Sequence, residues 1–284
     1  MSLPPFPKKL EGTIFTEIMP QFLQEVNPKR LVELGAIVIK KKKRLMYEPL
    51  TDSLRKIQWV KLVSSKAISI EDEIEKEMDS NYLLMDPIGQ TAHSLCVTDC
   101  LIHTKSALDS MAVFLTNLLG LRARGGDRDF KKPKFRVEII KKEPTFGKKI
   151  NNYNKWFKEL QDIRDEWIHR SSVRSRIIQG KNEVGILPIP KNVTLNFEKQ
   201  MELTISKVDF VSTNDFANYH YSNLVSLFNL IIDGSIEIEK RNFKGNIPIS
   251  LDVEKQLTTF PTRAIRDMKP DGIKVKFHKS LSDW

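Results

Sequence analysis

Cysteine is scarce, long apolar runs are missing, and so are the short motifs of the common nucleotide and hydrolase sites. The two cysteines, Cys96 and Cys100, exclude a disulfide-built scaffold and fit a reducing compartment. The start, Met1-Ser2-Leu3-Pro4-Pro5, has neither the basic residues nor the apolar stretch of a secretory signal, so a cytoplasmic location is expected. No window approaches the roughly 20 uninterrupted apolar residues of a membrane span, and no membrane partner is expected. A GxxxxGKS phosphate loop, GxGxxG, GxSxG and HExxH are all absent, which removes the readings those motifs carry. Gly125-Gly126-Asp127 is only a flexible turn. No carboxylate cluster suggests a two-metal nuclease, and there is no internal repeat or low-complexity tract.

What the chain has is enough apolar material for a packed core and an excess of positive charge. Of 284 residues, 40% are hydrophobic and 29% charged, a globular balance. The net charge of +10 is unevenly spread: positions 120–150 hold eleven basic residues against Asp127, Asp129, Glu138 and Glu143, a local excess of +7. A second basic run is Lys40-Lys41-Lys42-Lys43-Arg44, while Glu71 to Asp79 is acidic. Clustered cations attract polyanions by counterion release and steering. The same clusters also serve solubility alone, and charge by itself does not choose between the two.

Periodicity divides the chain into a mixed α/β leader (1–85), a helical body (86–240) and an irregular tail (241–284). In the leader, Ile14–Val26 reads as a short helix, Leu31–Lys40 as a strand-like run, and Leu54–Leu62 and Ile68–Met78 as two surface helices. Asp86-Pro87 opens the clearest helix, an N-cap residue with proline at the first helical position. It is expected to end before Gly120. Val97, Leu101, Leu108, Met111, Leu115 and Leu118 recur at helical steps and form its core stripe. The basic segment 120–147 reads as a loop with a short strand at Phe135–Ile140. A second amphipathic helix covers Lys149–His169, its stripe being Trp156, Leu160, Ile163 and Trp167. A β insertion (173–208) follows: Arg176–Gln179 and Val184–Ile189 flank the turn Gly180-Lys181-Asn182-Glu183, and Val193–Val208 adds a strand. Ser212-Thr213-Asn214-Asp215 then caps a helix running through Phe216, Leu224, Leu227, Leu230 and Ile231 to about Glu239. Long amphipathic helices must bury their stripes against one another. The expected fold is therefore mainly α, an up-and-down helical bundle with a small β insertion.

The segment Ile163-Arg164-Asp165-Glu166-Trp167-Ile168-His169-Arg170 resembles the signature of the HEPN family of α-helical RNA-cleaving proteins. That signature is an arginine followed by a polar residue, then a histidine after four to six intervening residues. Here Arg164 is followed by Asp165, and four residues separate it from His169, the only pair of that spacing in the chain. The pair lies near the end of an amphipathic helix, as in that family. The helix containing Thr104-Lys105-Ser106-Ala107-Leu108-Asp109-Ser110 resembles the one that packs against it. The resemblance covers about 86–240.

It implies metal-independent endoribonuclease activity without a cofactor. His169 suits proton transfer at the ribose 2′-hydroxyl because imidazole titrates near neutrality. Arg164 suits the attacked phosphate because its planar fork binds oxyanions in two places. The implied product is a 2′,3′-cyclic phosphate, and DNA, lacking the hydroxyl, is spared. Asp165, four residues before His169, is placed to orient its ring. The resemblance further implies RNA as partner, a homodimer with the motifs facing a shared cleft, and a toxin or antiviral role with an antitoxin protein as a further partner. The competing reading is a non-catalytic HEPN-like module that binds nucleic acid or a partner protein. A third is a purely structural dimer.

Ordinary helix chemistry also explains the pair, since cations near a helix C-terminus complement its dipole. Geometry sets a condition on catalysis. Positions five apart stand about 140° around an ideal helix, so either the helix unwinds at Ile168–His169 or a partner chain completes the site. Lys131, Lys132, Lys134, Arg136 and Arg170 are the candidate RNA-backbone contacts. His93, Cys96, Cys100 and His103 share a helical face but span about 15 Å, too far to converge on one ion at about 2.0–2.3 Å. His103 and Asp99 either line the cleft or pack at an ordinary interface. His220 reads as structural and His278 as a tail residue.

Overall fold

The computed structural model describes positions 44–77, 87–169, 176–178, 183–188 and 210–242, together with several residues between 22 and 37. Among the described residues, six continuous helices carry the fold: α1 (Arg44–Glu77), α2 (Pro87–Leu119), α3 (Pro133–Lys142), α4 (Pro144–Asn151), α5 (Asn154–His169) and α6 (Thr213–Arg241). A short 3-10 turn at Gly125–Asp127 precedes α3.

The four long helices alternate in direction. Tyr47 of α1 packs on Phe114 of α2 and Trp59 on His103. Ser64 meets Cys100 at 3.4 Å. Positions rise along α1 as they fall along α2, so the two are antiparallel. Between α5 and α6, Trp156 pairs with His220, Glu159 with Tyr219 and Trp167 with Phe216, again antiparallel. His93 of α2 bonds Thr213 at the start of α6 across 3.1 Å, so α2 and α6 run together. The result is an up-down-up-down bundle, with one continuous core drawn from all four helices.

Helix α2 lies at the centre. Thr104, Ala107, Leu108, Met111, Ala112, Phe114 and Leu115 are buried on several of its sides, as expected of a helix surrounded by others. It stops where the sequence indicates: Gly120 takes φ +60°, and the Leu121 N–H bonds the Thr116 carbonyl at 3.0 Å. That six-residue closure satisfies an otherwise open carbonyl and favours glycine at the left-handed position.

Three expectations are corrected. Leu54–Leu62 and Ile68–Met78 are not two surface helices: over their described residues they are parts of one helix, α1, whose Leu50, Ile57, Val60, Ala67 and Ile70 enter the core. The run Leu31–Lys40 is not a strand at its described positions, because Leu31, Glu33, Leu34 and Ile37 are helical. The segment 120–147 is a loop, with one 3-10 turn, only as far as Lys132. Pro133 and Pro144 each start a helix, where a proline's missing N–H costs nothing. Phe135–Ile140 is helical, burying Phe135 and Ile139 while Val137 stays 46% exposed.

The insertion carries a three-stranded antiparallel sheet in the order β1 (Arg176–Ile178), β2 (Glu183–Pro188), β3 (Phe210–Ser212). The pairing of β1 with β2 gives the hairpin expected around Gly180, with an irregular register between Arg176 and Ile178. Strand β3 runs directly into α6. The strand expected at Val193–Val208 and the tail beyond 242 lie outside the described residues.

Two glycines permit close approach. A Cβ on Gly147 of α4 would sit 2.6 Å from the Ile140 Cα of α3, and one on Gly234 of α6 would sit 2.4 Å from the Phe146 ring. Gly147→Ala is expected to cost about 1–3 kcal/mol, the range for overpacking. Urea denaturation should show a lower midpoint with unchanged slope. Gly126→Ala, whose Cβ meets nothing within 4 Å, is the control and should lie within about 0.5 kcal/mol of the parent.

Candidate active site

Helix α5 presents the motif. Its buried side comprises Trp156, Phe157, Glu159, Leu160, Ile163 and Trp167, spaced to face α2 and α6. Arg164 follows Ile163 and therefore flanks this stripe, with its side chain 28% exposed. Its Nη1 lies 3.4 Å from Asp165 Oδ1. Its Nε is buried and, among the described residues, has no hydrogen-bond partner. The guanidinium is thus fixed at one edge by a single carboxylate, with donors left over for an oxyanion.

Helix α5 continues through Ile168 to His169, so it does not unwind before the histidine. The two motif positions therefore stand about 140° apart on one regular helix. The His169 side chain and Arg170 lie outside the described residues. Asp165 accepts a hydrogen bond from Gln161 Nε2 as well as from Arg164. Those bonds turn its Oδ1 toward the preceding turn, while the expected pairing of Asp165 with the His169 ring lies outside the described residues.

The basic segment flanks the other end of α5. Phe130 stacks on Phe157 at 5.1 Å, about 10 Å along the axis from Arg164 at 1.5 Å per residue. Lys131, Lys132 and Lys134 are exposed around the start of α3. Lys132 is tied to Asp127 at 3.0 Å. Arg122, Lys132 and Lys134 line a cavity of about 330 Å³, opposed by Asp127 and Glu138.

Arg136 does not belong with them. It is buried, its Nε donating to Asn151 Oδ1 at 3.0 Å and its Nη1 to the carbonyls of Phe130 and Lys131. Bound to backbone carbonyls, it clamps the turn before α3 onto α4 and has no surface to offer RNA.

The His and Cys face of α2 is occupied by packing contacts. His93 bonds Thr213. Cys100 meets Ser64, and burial pushes its thiol up to about 11. His103, half-buried, stacks on Trp59 of α1 at 5.9 Å. Asp99 is exposed, and none of the described contacts joins His103 or Asp99 to α5. Among the described residues no three of His, Cys, Asp and Glu are placed to hold a metal ion. None of the described helices is long and apolar enough to cross a membrane.

Sequence reasoning passed over Glu159, although a carboxylate three residues after Trp156 and one before Leu160 interrupts an apolar stripe. Glu159 is buried and accepts the Tyr219 hydroxyl hydrogen at 2.8 Å. Its other oxygen has no hydrogen-bond partner among the described residues. Burial raises its carboxyl to about 7, with the Tyr219 bond opposing the shift. Beside it, His220 accepts from Trp156 Nε1 at 3.0 Å through Nδ1, and burial lowers its imidazole to about 3.

The two groups make opposite contributions to pH-dependent stability. Glu159 binds a proton in the fold that the unfolded chain, with a carboxyl near 4.5, releases, so its contribution falls as pH rises from about 4.5 to 7. His220 is neutral in the fold while the unfolded imidazole, near 6.5, takes a proton. Its contribution therefore falls as pH drops below about 6.5. Between about 4.5 and 6.5 the two offset one another. Glu159→Gln should remove the first effect and expose the second. Urea midpoints of that variant should fall as pH drops from 6.5 to 4.5, more steeply than in the parent; an equal slope in both proteins would reject the pairing.

No protein-family model, curated protein or solved structure matches the chain.

Proposed function

We propose that the protein is a metal-independent endoribonuclease of HEPN type, with Arg164 and His169 as its reactive pair. The observation that carries this reading is the state of Arg164. It is a guanidinium 28% exposed near the C-terminal end of an amphipathic bundle helix, held among the described residues by one carboxylate and retaining unpaired donors. Arg136, by contrast, is buried and gives its donors to Asn151 and to two backbone carbonyls. In the reaction, His169 takes the 2′-hydroxyl proton and the 2′-oxygen attacks the adjacent phosphorus. The 5′-oxygen leaves with a proton, and a 2′,3′-cyclic phosphate remains. Arg164 binds the phosphate oxygens as negative charge builds on them.

The regular course of α5 through His169 supports a two-chain site, because one helix does not turn both positions to one side. A homodimer with two-fold symmetry brings the arginine of one copy toward the histidine of the other. The biological setting that accompanies this chemistry is a toxin or antiviral effector, with an antitoxin protein as the restraining partner.

Purified protein incubated with structured RNA in EDTA should cleave it. His169→Ala and Arg164→Ala should each lower the rate at least about 100-fold, the lower bound for losing general acid–base catalysis. A 2′-deoxy substitution at the cut position should block cleavage there. When the two inactive variants are mixed and allowed to exchange subunits, activity should return. Cleavage that survives both substitutions would refute the assignment. Tight binding with intact RNA would favour a non-catalytic binding module.

The RNA backbone is held by Lys131, Lys132 and Lys134, all exposed near the start of α3, without Arg136. Replacing the three with glutamine should lower the slope of log affinity against log salt by up to about 0.7–0.9 per lost phosphate contact. An unchanged slope would remove this segment from the binding surface.

A further inference from the structure

A second cavity, of about 360 Å³, opens where the end of α4 and the start of α5 meet α6. Its volume falls at the lower end of the range for small-molecule sites. Lys149 and Lys155 line it and are exposed, Asn152 and Asn223 bring carboxamides, and Tyr153 brings a half-buried ring. No carboxylate lines it, whereas the cavity beside α3 sets Asp127 and Glu138 against its cations. Among the described residues, the Lys149 and Lys155 ammonium groups and the Asn152 carboxamide have no hydrogen-bond or ion-pair partner.

The ring is held in place. The Tyr153 hydroxyl bonds Ser226, its ring meets Trp156 edge-on at 6.2 Å, and Phe157 stacks beneath it at 6.2 Å. A fixed aromatic with one side packed and part of its surface open is a stacking platform for a planar group. Asn223 donates its amide N–H to the Tyr219 carbonyl at 2.9 Å, which fixes its carboxamide and leaves the oxygen as acceptor. Asn152 offers both donor and acceptor. Paired cations, a fixed ring and two carboxamides recognise three different parts of one molecule.

The geometry points to a binding site for a single nucleotide. Its phosphate lies between Lys149 and Lys155, its base stacks on Tyr153, and its base edge meets Asn152 and Asn223. A unit of an RNA strand and a free mononucleotide offer the same chemistry. The strand case rests on the ribonuclease reading; the free-nucleotide case does not. A phosphorylated phenol shares the ring and phosphate but gives the carboxamides nothing to pair with.

Isothermal titration of the full chain decides the matter. The ligands are the four ribonucleoside 5′-monophosphates, the nucleosides, ribose 5-phosphate, O-phosphotyrosine and a fully 2′-O-methylated RNA oligonucleotide. That oligonucleotide cannot be cut, so binding is read whether or not the protein cleaves RNA. At least one mononucleotide or the oligonucleotide is expected to bind. Any mononucleotide that binds should do so at least tenfold more tightly than its nucleoside, ribose 5-phosphate and O-phosphotyrosine. The double variant Lys149→Gln/Lys155→Gln should weaken binding at least tenfold at unchanged thermal midpoint. The equally exposed pair Lys141→Gln/Lys142→Gln, which removes the same charge outside the cavity, should not. Binding of the oligonucleotide alone assigns the site to a strand, and binding of a mononucleotide with comparable affinity assigns it to the free ligand. No binding by either, equal affinity for O-phosphotyrosine, or equal loss in both lysine variants would overturn the proposal.

Discussion

The second half of α2 is buried over most of its circumference, leaving only a narrow polar strip at Ser106, Asp109 and Asn117 toward solvent. Met111, Ala112, Phe114 and Leu115 point to successive sides of the helix, and all are buried. An amphipathic helix with one narrow apolar stripe is satisfied by one neighbour, but a helix apolar over most of its circumference needs walls on several sides. That demand sets the rest of the bundle. Helix α1 folds back along one side, α6 runs beside another, and α5 closes the structure with its tryptophans. The shorter helices α3 and α4 fill the corner below, drawn close by Gly147 and Gly234. Every element that carries a candidate functional residue is positioned by its contact with this core.

The polar groups inside the α5–α6 interface are as specific as the apolar ones. Glu159, Tyr219, His220 and Trp156 form two hydrogen-bonded pairs side by side, and burial shifts both Glu159 and His220 toward their neutral forms, the carboxyl upward and the imidazole downward. Hydrogen bonds of this kind are directional, and an uncompensated buried group is costly. They fix the rotation of α5 about its own axis more tightly than apolar contact alone. That rotation decides which way Arg164 faces, since it lies on the same rigid helix little more than one turn from Glu159. Tyr219 links this network to the open cavity, because it bonds Glu159 and also lines the space beside Lys155.

Much of the bundle was legible because its boundaries are written in local chemistry. Asp86-Pro87 and Gly120 bracket α2, Ser212-Thr213-Asn214-Asp215 opens α6, and the polar turn near Gly180 joins two strands. Helix α1 was harder to read. Ser64 and Ser65 interrupt its apolar rhythm, yet Ser64 pairs with Cys100 and Ser65 bonds the Lys61 carbonyl, so neither breaks the helix. Phe135, Val137 and Ile139 alternate as a strand would, but Lys132-Pro133 was the stronger signal, and Val137 turns outward on a helix. Of the site, the position and partial exposure of Arg164 follow from its place beside Ile163. The burial of Arg136 does not follow from any local pattern, because it depends on where the Phe130 and Lys131 carbonyls come to rest. The carboxamides and lysines around Tyr153 likewise became a group only when α4, α5 and α6 came together.

The order of elements along the chain has a consequence for synthesis. The antiparallel pair α1–α2 is local, and both its members leave the ribosome early. Helix α6, which lies beside α2 for much of its length, starts at Thr213, roughly ninety residues after α2 ends. At about 5–20 residues per second that delay is about 5–20 s, far longer than the microseconds a helix needs to form. During that interval one apolar flank of the nascent hairpin is open to other chains, to chaperones or to a second nascent copy. The catalytic candidate Arg164 is made within the same interval, before the helix that fixes its orientation exists. A nascent chain that carries the full motif therefore still lacks a rigid site, and any nuclease activity begins only after α6 has been made and docked.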